Sequence, residues 1–261
     1  MFNFTFDKRI IYVIIGIMVF RTLYQYATVE GAILGLVLTI HGVLIEITFH
    51  EFAHAFVADK LGDDTPRREG RLTLNPLGHL DPIGSLLLLF AGIGWGKPVH
   101  VNPRNYNRKV GMEKGEALVS IAGPIMNFLL AIVFTIITCI VLKTTNSSLV
   151  FLGNSMGLVA SNQTIEILLK ILIYAVIINT GLGLFNLIPL PPLDGSKVLM
   201  TFLPYKAKQF FIQNEMIFYI IFVAIWVTGL TSYIISPAIE AIDVGLLKTG
   251  MSIFGLNFNL F

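Results

Sequence analysis

The chain has 261 residues, 55% hydrophobic and 13% charged, with a net charge of +2 and a mean hydropathy of +0.77, whereas about a quarter of a typical soluble domain is charged. This composition excludes an ordinary soluble domain and defines an integral protein of the lipid bilayer. Basic residues dispersed between apolar runs exclude nucleic acid as a partner, and a single cysteine, Cys139, excludes a disulfide framework or a thiolate metal site.

In chain order, apolar stretches fall at Ile10 to Ala27, Gly31 to Ala58, Gly84 to Ile93, Glu116 to Leu142, Ile165 to Ile188 and Met216 to Ile235. All but the third are long enough to cross about 30 Å of hydrocarbon. The expected architecture is an all-α polytopic membrane protein of about five transmembrane helices, with Gly84 to Ile93 a short re-entrant or interfacial segment. The first run has the charged start of a signal peptide but no small-residue cleavage site, and Arg21, Tyr24 and Tyr26 suit a membrane interface, so it reads as an uncleaved helix. Residues 1–30 are thus an N-terminal helix, 31–203 the core that carries the chemistry, and 204–261 a C-terminal helix and tail, all one membrane-embedded domain. Arg71 to Leu74 alternates polar and apolar side chains between the breakers Gly70 and Pro76, and with Trp95 to Val101 it is expected to form a small membrane-associated β-hairpin.

Nine Lys and Arg lie between Asp59 and Gly115, one between Lys143 and Thr164, and three between Pro189 and Glu215. The positive-inside rule puts the first and third of these segments, and the N-terminus, on the cytoplasmic side of the cell membrane.

The second run carries His50-Glu51-Phe52-Ala53-His54. On a helix, residues i and i+4 lie about 40° apart on one face, so both imidazoles can meet one ion while Glu51 takes a proton from an attacking water. Glu46, one turn earlier, can orient a ring; His41, half a turn around the helix, points away. A third ligand is needed. Asp194, after the helix-ending Pro189, Pro191 and Pro192, is a candidate, though an aspartate there equally caps the helix beginning near Gly195. His79 and His100, in loops, are alternatives. Gly123-Pro124 with Asn127, and Asn179 and Asn186 on one face with Gly183, are polar points inside membrane runs, suited to links between helices or to contact with substrate.

Together, H-E-F-A-H at His50 to His54, G-P-I-M-N at Gly123 to Asn127 and N-L-I-P-L-P-P-L-D-G ending at Gly195 resemble the site-2 protease family, over about Leu36 to Leu203. The resemblance implies an intramembrane zinc metalloendopeptidase that cuts a transmembrane protein substrate in regulated intramembrane proteolysis. One Zn²⁺ would be held by His50, His54 and Asp194, with Glu51 the catalytic base and the active site toward the cytoplasm. It also implicates Asn127 and an asparagine upstream of Asp194 around the substrate. The likeness is to the compact prokaryotic branch, without a PDZ or CBS domain; His100 stands where that branch has proline. From the residues alone, a metal or ion transporter whose polar side chains line a path, and an inactive protein that binds membrane segments, are the rival readings.

Overall fold

A computed structural model describes residues 8–29, 31–82, 84–85, 96–152, 155–228 and 230–256. Helix α1 spans Lys8–Thr28, α2 Ala32–Lys60, the single turn α3 Thr65–Arg68, and α4 Met112–Thr144. A hairpin of β1 (Ser148–Leu152) and β2 (Ser155–Val159) follows, then α5 (Gln163–Asn186), α6 (Asp194–Phe202), α7 (Tyr205–Gln213), α8 (Glu215–Val227) and α9 (Leu230–Ile253). Among the described residues α2, α4 and α5 are each long and apolar enough to cross a bilayer, and α7 with α8, bent by 67°, makes a fourth such unit if taken as one.

Helices α2, α4 and α5 pack on one another, α6 lies against α4, and α9 lies along α5 and α4. Small residues permit the close approaches, as in other membrane bundles. At Gly42 a Cβ would sit 2.5 Å from Ile178, and at Gly250 it would sit 2.9 Å from Thr135 and 3.0 Å from Cys139. One end of the bundle is closed by the hairpin. Leu149 and Phe151 of β1 are buried with Cys139, Leu142, Leu169, Leu247 and Met251, and the strands run antiparallel with Leu149 opposite Leu158 and Phe151 opposite Met156.

Two expectations are corrected. The hairpin lies at 148–159, whereas among the described residues 71–74 form no strand and Gly96 bridges to Leu80 instead, beyond the proline-led turn Pro76–Gly78. The last apolar run is divided between α8 and α9, and α9 continues past it to Ile253, taking in Glu240, Asp243 and Lys248. Hydropathy misses that extension because Asp243 is buried against the neighbouring helices. The re-entrant segment falls mostly on residues 86–95, outside those described.

Candidate metal centre

Helix α2 supplies the pair. His50 and His54 are both buried, their ring centroids 4.6 Å apart and their planes at 84°, which is the relation that four residues of helix impose. Their Nε2 atoms are 3.0 Å apart. Asp194 arrives from a distant stretch of the chain, at the first position of α6. After α5 ends at Asn186, the proline-rich link folds back so tightly that a Cβ on Gly195 would run into the Leu187 carbonyl and lie 2.6 Å from that of Ile188. Leu193 occupies the N-cap of α6 with no side-chain bond, so the Asp194 carboxylate does not cap the helix. Its Oδ2 lies 3.1 Å from His50 Nε2 and 3.2 Å from His54 Nε2.

The donor set fits a divalent cation. His54 Nδ1 donates to the Val119 carbonyl at 2.7 Å, which leaves a lone pair on Nε2. That lone pair, a carboxylate oxygen and His50 Nε2 face one another within 4.8 Å. One proton on His50 can serve only one of its two neighbours, whereas a cation serves all three; two imidazoles and a carboxylate are a zinc-type set. Room is made by α4, where a Cβ on Gly123 would lie 2.5 Å from His54 Nε2 and 2.6 Å from His50 Nε2.

Around this cluster, Asn127 is fully buried; its Nδ2 donates to Glu46 Oε1 at 3.0 Å and lies 3.2 Å from His50 Nδ1. Glu46 Oε1 is 3.8 Å from the same ring nitrogen. Glu46 and Asn127, from different helices, thus back one imidazole. Glu51, next to His50 in the chain, is held by a separate contact: its Oε2 accepts the Val99 N–H at 3.0 Å.

The remaining sequence candidates are not drawn into the cluster. The Asn179 amide donates to the Ala175 carbonyl and Asn186 to that of Leu182, each within its own helix. His79 Nε2 donates to the Thr73 carbonyl at 2.8 Å, His100 is exposed beside Glu69, and His41 is exposed. Sequence reasoning missed the Val119 carbonyl and the Val99 N–H, main-chain groups that carry no residue signature. Gly123 was visible as a site of close packing, though not as the residue that lies against both imidazoles.

Comparison with known proteins defines the class. The model of peptidase family M50 matches residues 108–229. The chain is 38% identical over 212 residues to a Bacillus subtilis (strain 168) protein that carries the name of a zinc metalloprotease, YwhC, covering 81% of this chain and 90% of that one. Shorter matches reach proteins named Rip2, also as zinc metalloproteases. That of Mycolicibacterium smegmatis (strain ATCC 700084 / mc(2)155) is 35% identical over 102 residues, 37% of this chain and 38% of the relative. That of Mycobacterium tuberculosis (strain ATCC 25618 / H37Rv) is 37% identical over 103 residues, 36% and 37% of the two. No solved structure matches the chain. The chain belongs to peptidase family M50, the site-2 protease family of membrane zinc metalloproteases.

Proposed function

We propose that the protein is a zinc-dependent intramembrane endopeptidase that cleaves a transmembrane segment of a membrane-anchored protein, in the manner of regulated intramembrane proteolysis. The observation that carries this reading is the meeting of His50, His54 and Asp194 inside a bundle of apolar helices, with Glu51 adjoining one of the three. These residues would hold one zinc ion through His50 Nε2, His54 Nε2 and Asp194 Oδ2. Bound there, zinc supplies Lewis acidity, which polarises the scissile carbonyl and makes water a better nucleophile at neutral pH.

The protein's own groups do the rest. The Val99 N–H holds Glu51 by Oε2, which leaves Oε1 to take a proton from the attacking water and pass it to the leaving amine. Asn127 and Glu46 keep the His50 ring in its plane, and the Val119 carbonyl does the same for His54. Asn179 and Asn186, which bond their own helix, take no part in the proton transfers. A substrate helix must unwind locally before it is cut, because its carbonyls are otherwise occupied by helical hydrogen bonds. The nine basic residues between Asp59 and Gly115 support a multi-pass topology with the N-terminus and the site toward the cytoplasm.

The test is metal analysis together with cleavage of a model transmembrane substrate in liposomes. Glu51→Gln is expected to keep one zinc and lose cleavage by about a thousandfold or more, whereas His54→Ala and Asp194→Ala lose both. Near-normal cleavage by Glu51→Gln, or full zinc content in the two ligand variants, refutes the proposal.

A further inference from the structure

Helix α2 ends in a paired closure. The Gly62 N–H bonds the Asp59 carbonyl and the Asp63 N–H bonds that of Ala58, with Gly62 at φ +107, a conformation that glycine adopts without a Cβ penalty. A side chain at Gly62 would also crowd the Asn105 carbonyl, at 3.0 Å. The turn delivers Asp63 into a fully buried position.

There its two oxygens accept four hydrogen bonds. Thr65 gives its N–H at 3.2 Å and its hydroxyl at 2.6 Å, Asn102 its N–H at 2.6 Å, and Asn105 its Nδ2 at 2.9 Å. Burial pushes the Asp63 carboxyl up, but the donors from Asn102, Thr65 and Asn105 outweigh it and hold the group below its ordinary value of 3.8. Leu61 adds a further tie, its carbonyl accepting the Asn107 N–H at 2.6 Å.

The loop held in this way is the one that reaches Glu51. Three residues before Asn102, the Val99 N–H donates to Glu51 Oε2; two residues earlier, the Lys97 N–H donates to the His79 carbonyl at 2.7 Å. Residues 99–102 therefore lie along α2, pinned at Glu51 and again at Asp63. Of the twelve residues between those anchors, nine steps lie on α2, which ends at Lys60, about 13.5 Å of helix, so a short stretch of loop links Glu51 to the closed end of the helix.

We propose that Asp63 is a positioning residue for catalysis: by clamping Asn102 and Asn105 to the end of α2, it sets the Val99 N–H against the catalytic carboxylate. This deepens the endopeptidase reading and rests on the role given there to Glu51. A residue that merely closed a helix end would affect stability without altering the amide at Val99.

The experiment compares full-length wild type, Asp63→Asn and Asp63→Ala in detergent for amide hydrogen exchange and zinc content, and in liposomes for cleavage kinetics. Asparagine keeps the shape but turns an NH₂ toward donors, so it stays informative if alanine fails to fold. Both variants are expected to keep one zinc, to exchange the Val99 amide about tenfold faster or more, and to lose about tenfold or more in kcat with KM within about twofold. Unchanged exchange at Val99 overturns the proposal, as does faster exchange with wild-type kcat. If wild type cleaves nothing while Val99 loosens in the variants, the endopeptidase reading falls and the catalytic part of this proposal falls with it, and the physical clamp is what remains. If wild type cleaves, Glu51→Gln does not, and Asp63→Ala behaves as wild type, only the positioning role is lost.

Discussion

Replacing Gly123 by alanine would put a methyl carbon 2.5 Å from His54 Nε2 and 2.6 Å from both Cε1 and Nε2 of His50. Ordinary contact needs roughly 3.4 Å or more, so the rings, or α4 itself, must yield by about 0.8 Å. Metal distances tolerate about 0.2 Å. Both imidazoles are pushed at the atoms that would bind the ion, and neither can retreat freely, since His54 is tied to Val119 and His50 is backed by Asn127. Zinc affinity should fall by at least about a hundredfold, more than the 10–100-fold typical of losing one orienting partner. Stability should fall modestly: alanine favours a helix by about 0.5–1 kcal/mol over glycine, against about 1–3 kcal/mol for overpacking, a net cost of at most about 2.5 kcal/mol, so Tm should drop by about 10 °C at most. Gly35→Ala is the control, because that glycine also lies in a helix and its Cβ would meet nothing within 4 Å. Zinc content by elemental analysis, cleavage in liposomes and a thermal scan are the measurements. A Gly123→Ala protein that holds stoichiometric zinc and cleaves at wild-type rate would show that the nitrogens facing Gly123 do not bind the metal.

Gly195→Ala should act on the proposed third ligand: its methyl meets the carbonyls of Leu187 and Ile188, so Asp194 is displaced and zinc content drops; retained zinc would count against Asp194. A chelator such as 1,10-phenanthroline should abolish cleavage, and added zinc should restore it; activity that survives removal of all metal refutes a metalloenzyme. Asp63 has a depressed folded pKa, so its contribution to stability is complete above its ordinary value of 3.8 and is lost as pH falls through and below it. Wild type should therefore lose more stability than Asp63→Asn between about pH 5 and pH 3, and parallel acid profiles would contradict the assignment. His100→Ala removes only an exposed pair with Glu69 and should leave cleavage within about twofold; a large loss would mean that His100 has a role beyond that pair.

What could be read from the chain divides along physical lines. His50, Glu51 and His54 announce themselves because a helix turns a spacing of four into a shared face, and the order of the three motifs points to Asp194. The apolar runs disclose α2, α4 and α5 because lipid leaves little choice of side chain on their outer surfaces. By contrast, alternation predicts the hairpin at 71–74 with 95–101, and it forms at 148–159. There Leu149 and Phe151 are recruited by the ends of α4, α5 and α9, a tertiary reward that local pattern does not contain.

The same division runs through the site. Ligands are side chains, and side chains have names in a sequence; the groups that aim them are largely main chain. The Val119 carbonyl would accept the His54 proton with almost any residue at 119, and the Val99 N–H would hold Glu51 with anything but proline at 99. What makes those groups useful is where the backbone runs, and that is decided elsewhere, by Gly123 allowing α4 to close on the imidazoles and by Asp63 drawing the 99–107 loop onto α2. Substitutions at Val119 or Val99 that keep the backbone should therefore be mild. Those at Gly123 and Asp63 should be severe, the reverse of the ranking that proximity to the reacting atoms would suggest.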